Sequence, residues 1–202
     1  MLLKNKVAII TGGTRGIGFE TARQFLLNGA KVAVLGSRKE TVDSAVEKLK
    51  AENKDFEVMG LFPQLNKTEE VSKAFEEVNK TFGKIDILIN NAGISSSTPL
   101  LNFTDEEYDK IADLNIKSVF VCSKVAVPYL EKTKGCIINT SSMVSTYGQP
   151  SGVMYPASKY AVNGITQSLS RELAPKGIRV NAVAPGITET DMVSALPPAM
   201  IE

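Results

Sequence analysis

Short apolar runs rich in β-branched residues alternate with amphipathic stretches along the whole chain, and this alternation most constrains the fold. Runs of the first kind are typical of buried strands, and stretches of the second kind have the apolar spacing of helices. Alternating strands and helices predict parallel strands joined by right-handed crossovers. We therefore predict an α/β fold, a doubly wound parallel sheet in three αβα layers. The expected strands are Val7 to Thr11, Lys31 to Leu35, Phe56 to Phe62, Ile85 to Asn90, Gly135 to Thr140 and Ile178 to Val183, and the expected helices are Ile17 to Asn28, Glu40 to Glu52, Thr68 to Phe82, Asp105 to Lys132 and Ser158 to Leu173.

Two residues should shape the fourth helix. Thr104 opens Thr104-Asp105-Glu106-Glu107, a pattern typical of a capped helix start. Pro128 lacks the amide hydrogen that a helix interior needs, so we expect it to kink or end this helix.

Composition limits the class of partner. The chain has 202 residues, of which 43% are hydrophobic, and this suits one domain over residues 1–202. A net charge of +1, without a block of like charges, gives no reason to expect nucleic acid or a membrane as partner. Cys122 and Cys136 lack the spacing of a disulfide framework, and no apolar run approaches the roughly 18 residues that span a bilayer. We expect a cytoplasmic protein with a small-molecule partner.

The sequence contains no histidine. A zinc site with histidine ligands and a Ser/His/Asp triad are therefore both excluded, and we expect no metal. Acid–base chemistry must come from tyrosine, lysine or carboxylates.

Tyr155 and Lys159 are the candidates for that chemistry. Residues four apart share a helix face, so the phenol and the ammonium should lie side by side. A tyrosine with a pKa of about 10 becomes a useful catalyst near neutral pH when a nearby cation favours its phenolate. The alternative is that the two side chains merely pack together on an amphipathic helix.

A glycine-rich loop follows the first strand. Gly12, Gly16 and Gly18 lie where the first helix opens, so backbone N–H groups and the positive helix end can face phosphate oxygens. The alternative is an ordinary turn, but its position between a strand and a helix favours a dinucleotide pyrophosphate site.

The end of the second strand favours NADP(H) over NAD(H). Dinucleotide folds that use NAD carry an acidic residue about 20 positions beyond the glycine loop. Here the strand ends in Gly36-Ser37-Arg38, without a carboxylate. Arg38, together with Arg15, can pair with a 2′-phosphate. The alternative is that both arginines are solvated surface cations.

Six motifs occur in an order that resembles the short-chain dehydrogenase/reductase family. The resemblance covers nearly the whole chain, and it implies a Rossmann fold and a nicotinamide enzyme that interconverts carbonyl and alcohol groups. The motifs are Thr11-Gly12-x-x-x-Gly16-x-Gly18, Asn90-Asn91-Ala92-Gly93, Asn115, Ser142, Tyr155-x-x-x-Lys159 and Pro185-Gly186.

The resemblance assigns roles to four residues. Tyr155 is the expected general acid–base, and Lys159 is expected to lower its pKa and to bind the nicotinamide ribose. Ser142 is expected to donate to the substrate oxygen, and Asn115 to hold a water that links Lys159 to solvent. Without the resemblance, Asn115 would be interpreted as a surface amide.

Neighbouring residues of the same type compete for two of these roles. Ser141 and Ser142 both follow the fifth strand, and the interval of thirteen residues to Tyr155 selects Ser142. Tyr147 and Tyr160 lack the lysine spacing of Tyr155.

The expected cofactor site gathers residues that follow the strands and open the helices. Within it, Pro185-Gly186-Ile187-Thr188 is expected to meet the carboxamide and Thr190 the diphosphate. Asn90 is expected either to satisfy backbone groups or to contact ligand. The cofactor residues are Gly12, Thr14, Arg15, Gly16, Ile17, Gly18, Ser37, Arg38, Gln64, Leu65, Asn91, Ala92, Gly93, Tyr155, Lys159, Pro185, Gly186, Ile187, Thr188 and Thr190.

The sequence departs from the family in two places. Where the family often has an aspartate that binds adenine, this chain has Gln64, whose amide can also donate and accept. Family members also continue beyond the point that corresponds to Glu202, with a further helix and a seventh strand. We therefore expect the last strand to be missing, either because the sequence is part of a longer protein or because the sheet edge is open.

The substrate is the least determined feature. The expected lining, residues 95–100, 144–154 and 187–201, is apolar and suits an acyl chain or a sterol. The resemblance is strongest to 3-oxoacyl-[acyl-carrier-protein] reductases, which reduce a β-keto thioester with NADPH in fatty acid synthesis. Their acidic carrier protein would need a basic patch, to which Arg171 and Lys176 are candidates.

Two other interpretations stay open. The segments Gly12 to Phe19 and Ser151 to Lys159 also resemble bacterial hydroxysteroid dehydrogenases. A non-catalytic, nucleotide-binding regulatory protein is the alternative from another class. In either enzyme, the apolar faces of the helices at 105–132 and 158–173 predict a homodimer or homotetramer.

Overall fold

Six parallel strands form one sheet in the computed structural model, which describes residues 1–188. The strand order is β3-β2-β1-β4-β5-β6, so the chain crosses the sheet between β3 and β4 and then continues in the opposite direction. The predicted α/β doubly wound fold is therefore confirmed. The strands are β1 Val7–Thr11, β2 Lys31–Leu35, β3 Val58–Leu61, β4 Ile87–Asn90, β5 Cys136–Thr140 and β6 Arg179–Val183.

Helices cover both faces of this sheet. The side chains of β1 alternate, so Val7 and Ile9 pack in one apolar core while Ala8 and Ile10 pack in the other. Phe75 is fully buried in the first core. The helices are α1 Gly16–Leu27, α2 Lys39–Glu52, α3 Thr68–Phe82, α4 Asp105–Ile111, α5 Ser118–Thr133, α6 Val144–Tyr147 and α7 Met154–Leu173.

The fourth helical region differs from the single helix that the sequence predicts. The Thr104 hydroxyl accepts a hydrogen bond from Glu107 N at 3.2 Å, which confirms the capped start. A π-helical segment, Ala112–Lys117, then separates α4 from α5. Pro128 lies inside α5 and does not end it, since the buried face of α5 continues to Leu130. Tertiary packing here outweighs the local cost of proline.

The last long helix begins four residues earlier than the sequence predicts. It starts at Met154 rather than Ser158 and therefore includes both Tyr155 and Lys159. Pro156 lies in its first turn, where the missing amide hydrogen would have had no partner within the helix. The expected side-by-side arrangement of the phenol and the ammonium thus arises within one helix.

Buried polar side chains join this helix to the sheet. Asn90 Nδ2 donates to Asn139 Oδ1 at 2.8 Å and to Ser123 Oγ at 3.1 Å. Asn139 Nδ2 donates in turn to Thr166 Oγ1 at 2.9 Å, and Thr166 lies on α7. The amide nitrogen of Asn90 therefore bonds side chains of neighbouring elements rather than backbone groups.

The crossover direction changes between β1 and β4. Helices that leave these two strands pass to opposite faces, so a crevice opens beyond the carboxyl ends of the strands. Within residues 1–188, no helix is long and apolar enough to cross a membrane.

Candidate active site

A cavity of about 660 Å³ lies at this carboxyl edge of the sheet. Most of the residues that the sequence assigned to the cofactor and to catalysis contribute to its wall. Those residues are Gly12, Thr14, Arg15, Gly16, Ile17, Ser37, Gln64, Leu65, Asn91, Ala92, Gly93, Ser142, Tyr155, Lys159, Pro185, Gly186 and Thr188.

Four predicted residues do not line the cavity. Arg38 and Ile187 are exposed, Asn115 is buried behind the wall, and Gly18 lies within α1. Thr190 is outside the described residues, as is most of the expected apolar lining at 187–201.

The wall also contains residues that sequence reasoning missed. Position at the carboxyl end of a strand could have found Gly36, which follows β2, and Thr140, which ends β5, because ligand-binding residues gather at this edge of the sheet. Lys110, Asp113 and Leu114 carry no local signal, since α4 and the π-helical segment reach the cavity through tertiary packing. The full set of additional residues is Leu35, Gly36, Phe62, Pro63, Asn66, Ile94, Lys110, Asp113, Leu114, Thr140 and Ser141.

The glycine loop has no room for side chains. Gly12 and Gly16 have φ values of +64° and +54°, a conformation that glycine adopts without strain. A Cβ on Gly18 would lie 2.2 Å from the carbonyl oxygen of Gly12, so this glycine allows α1 to pack against the loop. The loop therefore brings its backbone and the start of α1 to the cavity, an arrangement that suits a phosphate.

Asn91 holds the glycine loop against β4. Its Nδ2 donates to the carbonyl oxygens of Thr11 and Gly12 at 3.1 and 3.2 Å. The amide nitrogens of Asn91 and Ala92 donate to Thr11 Oγ1 at 2.9 and 3.0 Å. Asn91 thus supports the loop as well as lining the cavity.

Tyr155 is half-buried at the cavity wall. Burial raises the pKa of its phenol, and the hydroxyl of Ser142, as a hydrogen-bond donor, opposes that shift. The phenol is therefore protonated at neutral pH and able to give a proton to an oxygen in the cavity.

Lys159 is 5% exposed, and its Nζ donates to the carbonyl oxygen of Thr140 at 2.8 Å. Burial lowers the pKa of Lys159 to about 8. The Nζ lies 5.8 Å from the centre of the Tyr155 ring. The pKa of Tyr155 is nevertheless raised by burial, with Ser142 as the opposing contact, and is not lowered by Lys159 as the sequence predicted.

Ser141 and Ser142 both reach the cavity but differ in their contacts. The single hydroxyl proton of Ser141 has two acceptors within reach, Ser145 Oγ at 3.2 Å and the carbonyl oxygen of Lys159 at 3.3 Å. Ser142 Oγ accepts only a long bond from Val144 N, at 3.4 Å. The Ser142 hydroxyl also hydrogen-bonds the phenol of Tyr155 at the cavity wall, whereas Ser141 supports α7.

The two rival phenols lie away from the cavity wall. Tyr147 is 81% exposed, and Tyr160 donates its hydroxyl to the carbonyl oxygen of Thr146 at 2.9 Å.

Asn115 is 1% exposed, so the interpretation as a surface amide is wrong. Its Oδ1 accepts from Ile94 N at 2.9 Å, and its Nδ2 donates to Ile94 O at 2.9 Å and to Ser158 Oγ at 3.0 Å. Ser158 then donates to the carbonyl oxygen of Tyr155 at 2.6 Å. A buried chain of hydrogen bonds thus connects the π-helical segment to the first turn of α7.

The candidate cations lie in different places. Arg15 lines the cavity, and Arg38 is exposed immediately before α2. Lys176 pairs with Glu131 at 3.0 Å, and Arg171 is near the end of α7. Because α7 leads back to the start of β6, Arg171 and Lys176 lie at the amino edge of the sheet, opposite the cavity.

These features match the chemistry of a dinucleotide. The backbone of the glycine loop and the start of α1 border the cavity, and a lysine and a phenol lie together further along its wall. A family comparison gives the same result, since the family model described as "short chain dehydrogenase" matches residues 6–200. The chain belongs to the short-chain dehydrogenase family. The fold of this family binds a nicotinamide cofactor, and its enzymes act on small-molecule substrates.

This short-chain dehydrogenase is similar to two differently named kinds of enzyme. It is 58% identical to the 3alpha-hydroxysteroid dehydrogenase of Mediterraneibacter gnavus, over 100% of this chain and 81% of the relative. It is 41% identical to the 3-oxoacyl-[acyl-carrier-protein] reductase of Staphylococcus epidermidis, over 95% of this chain and 79% of the relative.

A solved structure gives the same family. A short-chain dehydrogenase from Burkholderia cenocepacia in complex with NADP superposes with a TM-score of 0.88 and 36% identity. The match covers 95% of this chain and 78% of that one.

Burial of Lys159 should make this short-chain dehydrogenase less stable at neutral pH. The pKa of Lys159 is about 8 in the folded protein, against an ordinary value of 10.5. Below pH 8 the lysine is protonated in both the folded and the unfolded protein, so folding must bury its charge and the folded state is destabilised by the full desolvation cost. Each pKa unit corresponds to about 1.4 kcal/mol, so the penalty is about 3.5 kcal/mol. Lys159→Met also loses the hydrogen bond to Thr140, worth about 1 kcal/mol, and should therefore raise the unfolding free energy of the cofactor-free protein at pH 7 by about 2–3 kcal/mol. Between pH 8 and 10.5 the unfolded wild type binds more protons, so this gain should shrink. Urea unfolding at pH 7 and 10 measures both values.

Lys50→Met, at an exposed position on α2, is the matched control and should show no such dependence on pH. A Lys159→Met variant that is less stable than wild type at pH 7, with an unchanged m value, would contradict the prediction.

Proposed function

We propose that the chain is an NADP(H)-dependent hydroxysteroid dehydrogenase that interconverts a steroid ketone and its alcohol. The observation that carries the catalytic part is the placement of Ser142, Tyr155 and Lys159 on one cavity wall beside the glycine loop. The substrate class rests on the 58% identity to a 3alpha-hydroxysteroid dehydrogenase. This order reverses the preference that the sequence motifs gave.

Tyr155 is the proposed general acid–base. In the reduction, its phenol gives a proton to the substrate oxygen as that oxygen becomes an alcohol, and in the oxidation its phenolate takes the proton back. When bound, the nicotinamide supplies the hydride to the substrate carbon or accepts it. Burial keeps the phenol protonated at neutral pH, which favours the reduction.

Lys159 has two proposed roles. Its ammonium stabilises the phenolate of Tyr155 after the proton has left, and its Nζ is positioned to donate to a ribose hydroxyl. A Cβ on Gly93 would lie 3.6 Å from this Nζ, so glycine at 93 leaves space beside the amine for a ligand. The burial that lowers the pKa of Lys159 also excludes water from the interaction.

Ser142 and Asn115 are proposed to orient the reacting groups. The Ser142 hydroxyl donates to the same substrate oxygen as Tyr155, because it lies beside the phenol and both groups line the cavity. Asn115 ties Ile94 to Ser158 and so fixes the first turn of α7. The proposed water that links Lys159 to solvent would lie beside this asparagine.

A 3-oxoacyl-[acyl-carrier-protein] reductase is the second candidate. Identities of 38–41% to several proteins of that name favour it. An acidic carrier protein would approach the carboxyl edge of the sheet, whereas Arg171 and Lys176 lie at the amino edge. The absence of these two cations from the entrance counts against this candidate.

A non-catalytic nucleotide-binding role is the third hypothesis. It would leave the hydroxyl of Ser142 and the phenol of Tyr155 without a purpose, although both line the cavity.

Turnover assays distinguish the three functional hypotheses. With NADPH, the wild-type protein should reduce a 3-keto bile acid with a higher kcat/KM than acetoacetyl thioester. Tyr155→Phe should lower kcat by about 10²–10⁴-fold, the usual contribution of a general acid, while NADPH binding is retained. Absorbance at the reduced nicotinamide band measures turnover, and fluorescence titration measures binding.

Tyr147→Phe is the matched control, since this exposed phenol lies off the cavity wall. Undiminished turnover by Tyr155→Phe would overturn the mechanism. NADPH binding without reduction of any ketone by the wild type would favour the regulatory reading.

We also propose that Arg15 and Arg38 select the 2′-phosphate of NADP(H). Arg15→Ala and Arg38→Ala should each raise the Kd for NADPH about tenfold, as expected when a charged hydrogen bond is lost, and should leave the Kd for NADH within about twofold. Lys39→Ala removes a neighbouring exposed cation and is the control. Equal losses for both cofactors would show that the arginines do not select the phosphate.

The proposed enzyme is a homodimer or homotetramer. Tyr108, Phe120 and Tyr160 are each more than half exposed, and they belong to α4, α5 and α7. Phe120→Glu should shift sedimentation toward the monomer, because it places a charge on the apolar contact. Leu27→Glu, on α1, should leave the sedimentation unchanged. A monomeric wild type would refute this assembly.

A further inference from the structure

Two loops meet beside the first turn of α7. One follows β4 and contains Ser96 and Ser97, and the other connects α6 to α7 through Gln149, Ser151 and Gly152. Both loops are near the first cavity in the chain, since Gly93 lies at the start of the first loop and Tyr155 follows the second.

Gln149 connects the two loops through its side-chain amide. Its Nε2 donates to the carbonyl oxygen of Ser96 at 2.8 Å and to that of Gly152 at 2.9 Å, and it also contacts the carbonyl oxygen of Ser151. Ser151 Oγ donates to the carbonyl oxygen of Ser97 at 2.7 Å. We call these five residues the loop bridge.

The contact within the loop bridge is too close for an added side chain. Gly152 is buried, has a φ of +83°, and would place a Cβ 2.1 Å from the carbonyl oxygen of Ser96. The backbones of the two loops are therefore in direct contact at this point, and Gln149 is the donor that satisfies the carbonyl groups around it.

The first loop is also attached to α4. Glu107 accepts hydrogen bonds from the hydroxyls of Ser96 and Thr98, the latter at 2.8 Å. One side of the loop bridge is thus anchored on a helix. The other side is a loop that is held by the Gln149 amide and by the bond from Ser151 Oγ to the carbonyl oxygen of Ser97.

A second cavity, of about 290 Å³, borders the loop bridge. Gln149, Ser151 and Gly152 form part of its wall, together with the apolar residues Pro99, Leu100, Val153 and Pro156. Val153 and Pro156 belong to the start of α7, so this cavity borders the helix turn that also carries Tyr155. Its width depends on the separation of the two loops that Gln149 joins.

We propose that Gln149 is a positioning residue that sets the width of this second cavity and thereby the affinity for the apolar part of the carbonyl substrate. The inference rests on the proposed function, because it assigns the cavity to the substrate of that reaction. Gln149 acts through the carbonyl groups of Ser96 and Gly152, and it takes no part in proton transfer or cofactor binding.

Three substitutions at one position distinguish hydrogen-bond donation from shape. Gln149→Leu removes the donor, Gln149→Glu keeps the shape but presents an acceptor to carbonyl oxygens, and Gln149→Lys supplies a flexible donor. Leu and Glu should raise KM for the steroid ketone about tenfold, as expected for one or two lost hydrogen bonds, with kcat and the Kd for NADPH within about twofold of wild type. Lys should stay within about threefold in all three quantities.

Hydrogen exchange tests the loop bridge independently of turnover. Peptides that cover residues 94–100 and 148–153 should exchange faster in Gln149→Leu and Gln149→Glu than in wild type or Gln149→Lys. Gln167→Leu, at an exposed glutamine on α7, is the control and should match wild type in exchange and kinetics. The ketone or thioester that wild type reduces serves as the kinetic probe.

The possible outcomes separate the two proposals. If wild type reduces neither substrate, the proposed function fails, and faster exchange in Leu and Glu alone would still support the loop bridge. Unchanged exchange in Gln149→Leu, or a KM for Gln149→Glu equal to that of wild type, would overturn the inference. A parallel loss of kcat, NADPH binding and melting temperature would assign Gln149 a general structural role and overturn it as well.

Discussion

The parallel pairing of β1 with β4 is the constraint on which the rest of the structure depends. Ala8 pairs with Ile87 in β4 and with Val32 in β2, so β1 lies at the centre of the sheet. The chain leaves β1 and β4 toward opposite faces of the sheet. A crevice therefore opens beyond the carboxyl ends of these two strands. The glycine loop after β1 and Asn91 after β4 meet at this crevice, and both hydrogen-bond across it. The position of the cofactor cavity follows from strand order before any catalytic residue is considered.

The catalytic residues depend on burial, which has opposite effects on two neighbouring groups. Desolvation raises the pKa of Tyr155 and lowers that of Lys159, since it disfavours the charged form of each. The phenol therefore keeps its proton, and the lysine carries its charge at a cost in stability. The carbonyl oxygen of Thr140 accepts a hydrogen bond from Lys159 and partly offsets this cost. Such strain is common where folding stability and function place different demands on the same residues.

Sequence patterns found the strands and most of the cavity wall because those features are local. Short apolar runs rich in β-branched residues predicted the six strands. Positions that follow these strands predicted Gly12, Asn91 and Pro185 at the cavity. The same reasoning failed where packing decides. It began the last long helix at Ser158 instead of Met154, and it expected one uninterrupted helix where the structure has a π-helical segment around Asn115. Hydrogen bonds from Asn115 to Ile94 join residues 21 positions apart, which no local pattern encodes.

The sequence by itself determined the fold class, the glycine loop and the helical spacing of Tyr155 and Lys159, because each depends on residues that are neighbours in the chain. Only the tertiary structure decided that Ser142 contacts the Tyr155 phenol while Ser141 bonds to the backbone of α7, and that Arg171 and Lys176 lie at the far edge of the sheet. It also decided that Gln149 joins two loops through the carbonyl groups of Ser96 and Gly152. These features depend on which elements pack together, and the free energy of that packing is shared among side chains distant in sequence.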